Sequence, residues 1–145
     1  MIVGFKIFGT WIEFGYSETL YSWFSTICYK LEDGKWGSRF PIVMNHLYFD
    51  EEAGVNYEQI EKFREEIITI KNEFSKLAPA DAVWSFEDNI LEIPKNMPNI
   101  NYNTDNLQNF YISNSGQTIF ERLEYTIEGM AFYKSNCSIE AEKDI

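Results

Sequence analysis

Between Tyr57 and Leu77 one pattern runs long enough to dictate a structure. Ile60, Phe63, Ile67, Ile70, Phe74 and Leu77 follow one another at alternating spacings of three and four. That period places all six side chains on one stripe of an α-helix, and such a stripe must be buried against other elements. Asn56 with Gln59 forms a capping box at the start, Val55 stands where a hydrophobic staple would pack on Ile60, and Pro79 closes the far end. Glu58 to Lys62 and Lys62 to Glu66 add helix-surface pairs of about 0.3 kcal/mol each. So short a stripe with a capped end reads as a core helix of a globular domain and not as a coiled coil.

The flanking sequence supplies what that helix packs on. Residues 2–14 mix Ile, Val, Phe and Trp with two glycines and read as one long strand or a hairpin. A helix follows from about Ser17, a fair N-cap, to Glu32, with Leu20, Trp23, Phe24, Ile27, Cys28 and Leu31 on one face. Asp33-Gly34 stops it. The stretch from Trp36 through Gly37, Ser38, Arg39 and Phe40 to Pro41 is rich in turns, and Pro41 opens a short helix through Tyr48. Ala82 to Phe86 reads as a short buried strand and Phe110 to Ser113 as another. Asn114-Ser115-Gly116 turns into a last helix, whose apolar face is Ile119, Phe120, Leu123, Ile127, Met130 and Ala131. The fold expected is α+β: a small sheet from the 2–14, 82–86 and 110–113 segments, packed against about three main helices. The 145 residues fit a single domain, 1–145, with no linker, internal repeat or low-complexity tract to divide it.

Hydrophobic residues make up 45% of the chain and aromatics 17%, enough for a real core and too much for intrinsic disorder. With 23 acids against 12 bases the net charge is -11, which repels nucleic acid and an anionic membrane surface alike. No stretch approaches the ~18 apolar residues of a membrane span. Met1 to Phe8 is broken by Lys6 and followed by Glu13, so it reads as a first strand and not as a signal peptide. Together with only two cysteines, Cys28 and Cys137, this points to the cytoplasm. The charge is uneven: residues 1–49 are neutral, and -10 of the -11 lies between residues 50 and 133. Such a field either keeps the protein soluble or steers a basic partner.

Catalytic and cofactor signatures are missing. His46 is the single histidine, with only Asp50 one turn on, which is short of a metal site, and no cofactor is expected. Cys28 lies on an apolar stripe, where a thiol stays protonated. No nucleophile elbow, P-loop or dinucleotide fingerprint occurs. Glu87 and Asp88 could act as acid and base, but neighbours on extended chain point to opposite sides. The 89–109 segment holds seven asparagines (89, 96, 99, 101, 103, 106 and 109) with Pro94 and Pro98, and loops of that length are usually either functional or mobile. The residues expected at a partner interface are therefore acids, Asp50, Glu51, Glu52, Glu87, Asp88 and Glu92, with Tyr102, Phe110 and Tyr111 as aromatic anchors beside them.

From Trp36 to Pro41, then at Met44-Asn45-His46-Leu47-Tyr48, the chain resembles the immunity protein 70 family of bacterial polymorphic toxin systems. Val83-Trp84 with Glu87-Asp88, Asn106-Leu107, Phe110-Tyr111 and Ser113-Asn114-Ser115-Gly116 continue the resemblance in the same order. Residues 50–55 are more acidic and slightly longer than the family's turn, and Asn114-Ser115-Gly116 stands where Ser-Asp-Gly is expected. The resemblance implies a small cytoplasmic protein that binds the C-terminal domain of a cognate toxin, with no catalytic residues to carry over; the sequence leaves a homo-oligomer open without indicating one. It gives Trp36, Gly37, Arg39, Pro41 and Trp84 structural roles. The -11 charge favours a basic toxin domain, such as a nuclease. Arg39 is expected to pair with Glu87 or Asp88. A carboxylate-based enzyme and an interaction protein without a toxin partner are the alternatives.

Overall fold

The computed structural model describes residues 1–48 and 54–142. Two strands open the chain, β1 (Ile2–Ile7) and β2 (Thr10–Tyr16), joined by the two-residue turn Phe8-Gly9. Both turn residues have positive φ, 39° and 78°, the primed geometry whose twist matches that of a hairpin. A third strand, β3 (Cys137–Ala141), pairs antiparallel with the other edge of β1, giving the sheet order β2-β1-β3.

The helices follow in chain order. α1 (Ser17–Thr26) widens into a π-helical turn over Ile27–Leu31. α2 (Pro41–His46) starts with proline at its first position, where the missing N–H costs nothing. α3 (Ile60–Phe74) is led in by a short 3₁₀ turn, Tyr57–Gln59, and the Asn56 N–H donates to the Gln59 side chain at 3.0 Å, as the capping box requires. α4 (Ile119–Tyr133) carries a second capping box: Thr118 Oγ1 accepts from the Glu121 N–H, and the Thr118 N–H donates to the Glu121 carboxylate.

α4 packs across β1 and β2, α3 packs on α4, and α2 packs on α3. Gly129 permits the approach of α4 to the sheet, since a Cβ there would run into Ile7 Cδ1. The stripe Ile60, Phe63, Ile67, Ile70 and Phe74 is buried as its spacing requires. Phe120 ties three helices together, with T-shaped contacts to Trp23 (6.0 Å between centroids) and Phe74 (5.8 Å).

The architecture is α+β as expected, but the sheet is built from other segments. Ala82–Phe86 is not a strand. Its backbone is held by hydroxyls of α1: Val83 C=O accepts from Ser22 Oγ (2.7 Å), Val83 N–H donates to Thr26 Oγ1 (2.9 Å), and Phe86 N–H donates to Ser25 Oγ (2.9 Å). Phe110–Ser113 is not a sheet strand either. It forms single bridges to Ile100 and Thr118, and Ile112 N–H donates to Asn99 C=O. The third strand lies in the 137–141 segment. Ala131, expected on the buried face of α4, is exposed.

The asparagine-rich segment has a structural account. Asn89, Asn96 and Asn99 adopt positive φ (54°, 60° and 66°), a region asparagine tolerates better than other non-glycine residues. Asn106 accepts the Asn109 N–H, and Asn101 accepts that of Asn103. Buried Asn99 bonds Tyr16 N–H (2.9 Å) and the Asn114 side chain (2.8 Å), fixing the loop to the end of β2. These turns make the loop a packed surface with Ile100 and Leu107 buried beneath it.

Candidate partner-binding cleft

Two buried carboxylates organise the segment that supports the site. Glu32, 2% exposed, accepts the N–H groups of Gly37 (3.0 Å), Arg39 (2.9 Å) and Phe40 (3.0 Å). Glu66 of α3 accepts those of Val43 (2.9 Å) and Ile42 (3.3 Å), so it satisfies amides that the first turn of α2 leaves free. With residues 37–43 held this way, Trp36 Nε1 donates to Met44 C=O at 2.9 Å. The Trp36 ring then packs on Phe24, Tyr48 and Phe86, at 6.1, 5.0 and 6.2 Å between centroids. Gly37 has a φ of 77°. The turn-rich motif thus locks the position of Tyr48.

Tyr48 is one wall of a surface cleft of about 400 Å³, lined also by Tyr21, Trp84, Ser85 and the acids Glu18, Glu87 and Asp88, with Met1 and Ser17 at its edge. The Tyr21 and Tyr48 rings lie 6.0 Å apart. The Glu87 N–H donates to the Tyr21 hydroxyl oxygen at 3.3 Å, and Ser85 Oγ donates to the Asp88 carboxylate at 3.1 Å. Burial, and next the neighbouring Tyr21 and Glu87, pushes the Tyr48 phenol up to about 12. Burial raises Tyr21 as well, against the lowering effect of the Glu87 N–H bond, and the Glu87 and Asp88 charges add to the rise. Both phenols therefore stay neutral at physiological pH. Glu18, Glu87 and Asp88 have no Lys or Arg partner among the described residues.

The residues singled out in the sequence do not all converge here. Glu87 and Asp88 are exposed and line the cleft; Glu92 is exposed on the loop that follows. Tyr102, 57% exposed, lies over a separate depression with Asn101, Asn103 and Asp105, its hydroxyl receiving the Met97 N–H at 2.9 Å. Phe110 and Tyr111 are not surface anchors. They are 4% and 0% exposed, and the Tyr111 hydroxyl is within 2.9 Å of Ser22 Oγ and 3.0 Å of Thr26 Oγ1 inside the core. Asp50, Glu51 and Glu52 lie outside the described residues. Arg39 does not pair with Glu87 or Asp88. Its Nη1 is 3.0 Å from the Glu73 carboxylate of α3 and 3.1 Å from Leu31 C=O. Trp84, expected to support the fold, is half-buried and forms part of the cleft wall.

Glu18 and Tyr21 were not picked out from the sequence. The one signal in the sequence is their spacing: Glu18 and Tyr21 stand at i, i+3 and so share one face of α1. Neither thiol suits nucleophilic work, because burial pushes Cys28 up to about 11 and Cys137 up to about 12. The described residues hold no group of three or more His, Cys, Asp or Glu placed to hold a metal ion.

The family model for immunity protein 70 matches residues 5–139, nearly the whole chain. The chain belongs to the immunity protein 70 family. No curated protein and no solved structure matches it. An immunity protein neutralises a toxin, and such families are generally non-enzymatic. In this member, the Trp36–Tyr48 motif and Trp84 meet at one cleft, the first through Tyr48 and the second directly. No helix among the described residues is long and apolar enough to cross a membrane.

Proposed function

We propose that this immunity protein acts in the cytoplasm by stoichiometric binding to the C-terminal domain of a cognate toxin, and that the acidic cleft face is the surface that meets it. The observation that carries this reading is the convergence of Glu18, Glu87 and Asp88 on one cleft, none of them paired with Lys or Arg among the described residues, in a chain of net charge -11. A basic domain is the complement of such a face, and a toxin that grips phosphate, as a nuclease does, has a basic cleft of its own. Glu92 and Tyr102, and in sequence Asp50, Glu51 and Glu52, are proposed as further contacts with the toxin domain.

Binding is favoured over carboxylate catalysis and over a scaffold role because the family is one of immunity proteins. The test is titration of purified toxin domain with the full chain, following toxin activity and heat of binding together. Activity should fall to background at one equivalent, with a binding stoichiometry of one. Substoichiometric, time-dependent loss of toxin activity would overturn binding in favour of an enzyme.

A further inference from the structure

We infer that the cleft between the start of α1 and the Trp84–Asp88 loop is a receptor for a single arginine side chain presented by the toxin. This rests on the toxin-binding reading and names the chemistry of the contact. The walls are aromatic: the Tyr21 and Tyr48 ring centroids lie 6.0 Å apart, and Trp84 lines the same cleft. Neutral aromatic faces attract a cation placed over them, and a planar guanidinium stacks on them better than an ammonium does. The carboxylates of Glu18, Glu87 and Asp88 offer acceptors for its N–H fork, and none has a cationic partner among the described residues.

Size and electrostatics agree with that occupant. At about 400 Å³ the cleft is at the small end of ligand sites, suited to one side chain and not to a folded segment. The N-terminus of α1, with a partial charge of about half a unit, and the amino group of Met1 at the cleft edge oppose a cation, but three carboxylates outweigh them. Glu18, in the first turn of that helix, offsets it directly. The walls are also held rigidly, since Tyr48 is packed by Phe24 (5.3 Å) and Trp36 (5.0 Å). A site prepared in this way loses little side-chain freedom when it is filled.

The test uses the full chain and a small probe, Nα-acetyl-arginine amide, with Nα-acetyl-glutamine amide as the neutral control. Binding is read from NMR shifts of the Trp84 indole and of the Tyr21 and Tyr48 rings. The arginine probe should shift these signals saturably in the millimolar range, and the glutamine probe should not. The exposed triple variant E18Q/E87Q/D88N, shown to be folded by its unchanged spectrum elsewhere, should bind the arginine probe at least about tenfold more weakly. Equal responses to both probes, or no response at the cleft, would overturn the inference. Toxin titration separates the two readings. Toxin binding without an arginine response removes the receptor and leaves immunity standing, whereas an arginine response without toxin binding removes the toxin as its source.

Discussion

The Glu66 carboxylate on α3 accepts the Val43 N–H at 2.9 Å, so α2 is capped by a side chain from another helix. A charge-assisted bond to backbone amides is stronger than a neutral one, but here it forms in a buried setting, with Glu66 only 3% exposed. Burial raises the Glu66 carboxyl above its ordinary 4.5, and the bonds from Val43 and Ile42 lower it by less.

That shift has a definite sign in stability. A raised native pKa means the folded chain holds the proton more tightly than the unfolded chain does. The contribution of Glu66 is therefore full below 4.5 and is lost as pH rises through its native value. Glu66→Gln removes the titration while leaving an oxygen for Val43. Acidification from neutral pH toward 4.5 should raise the stability of the native protein relative to E66Q, measured by urea unfolding. A pH-independent difference would remove Glu66 as the titrating group.

The burial of α3 predicts a contrast along one helix. Ile67 and Ile70 are 1% and 0% exposed, while Ile68 between them is 56% exposed. Ile67→Ala or Ile70→Ala should each cost about 2–5 kcal/mol through lost transfer energy and the cavity left behind. Ile68→Ala should stay within about 0.5 kcal/mol. Denaturation midpoints of the three variants check the pattern, and equal midpoints would mean that the face is misassigned.

Arg39 and Glu73 form an ion pair at 3.0 Å whose side chains remain 44% and 31% exposed. Solvent screens such a pair, so the coupling from an R39A/E73A double-mutant cycle should be under about 1 kcal/mol. A coupling several times larger would show that the pair holds the 36–40 turn in place, the role given above to Glu32.

Both cysteines should be silent in the native state. Burial holds Cys28 near 11 and Cys137 near 12, so little thiolate exists at mildly alkaline pH. A chromophoric disulfide reagent should react with neither until denaturant is added. Rapid labelling of the native chain would show that one of the two segments opens.

What could be read from the sequence was local. The α3 stripe, its capping box and the α4 face need only a few neighbouring residues, and all but Leu77, half-buried beyond the end of α3, and exposed Ala131 fall where the period places them. What failed was long-range. Val83 reads as strand because it is apolar, but its N–H and C=O are taken by Thr26 and Ser22, 57 and 61 residues away. β3 carries a local signal that is easily passed over, the alternation of Cys137, Ile139 and Ala141 with Ser138 and Glu140 over five residues, and its pairing with β1 makes it a strand. The cleft shows the same division. Glu87 and Asp88 stand out as an acidic turn, whereas Glu18 and Tyr21 matter only because α1 brings them to that turn from 66 or more residues away. Phe110 and Tyr111 were expected outside because aromatics favour interfaces, yet the two hydroxyls of α1 give Tyr111 the buried partners it needs.

The most direct test of the account is surface plasmon resonance against the immobilised toxin domain at two salt concentrations, comparing the native chain with E18Q/E87Q/D88N. Surface charges act within a Debye length of about 8–10 Å and chiefly speed encounter. The variant should associate more slowly at low salt, and its association rate should depend less steeply on salt. Unchanged association kinetics in a folded variant would contradict the account and move the toxin-binding surface away from the cleft.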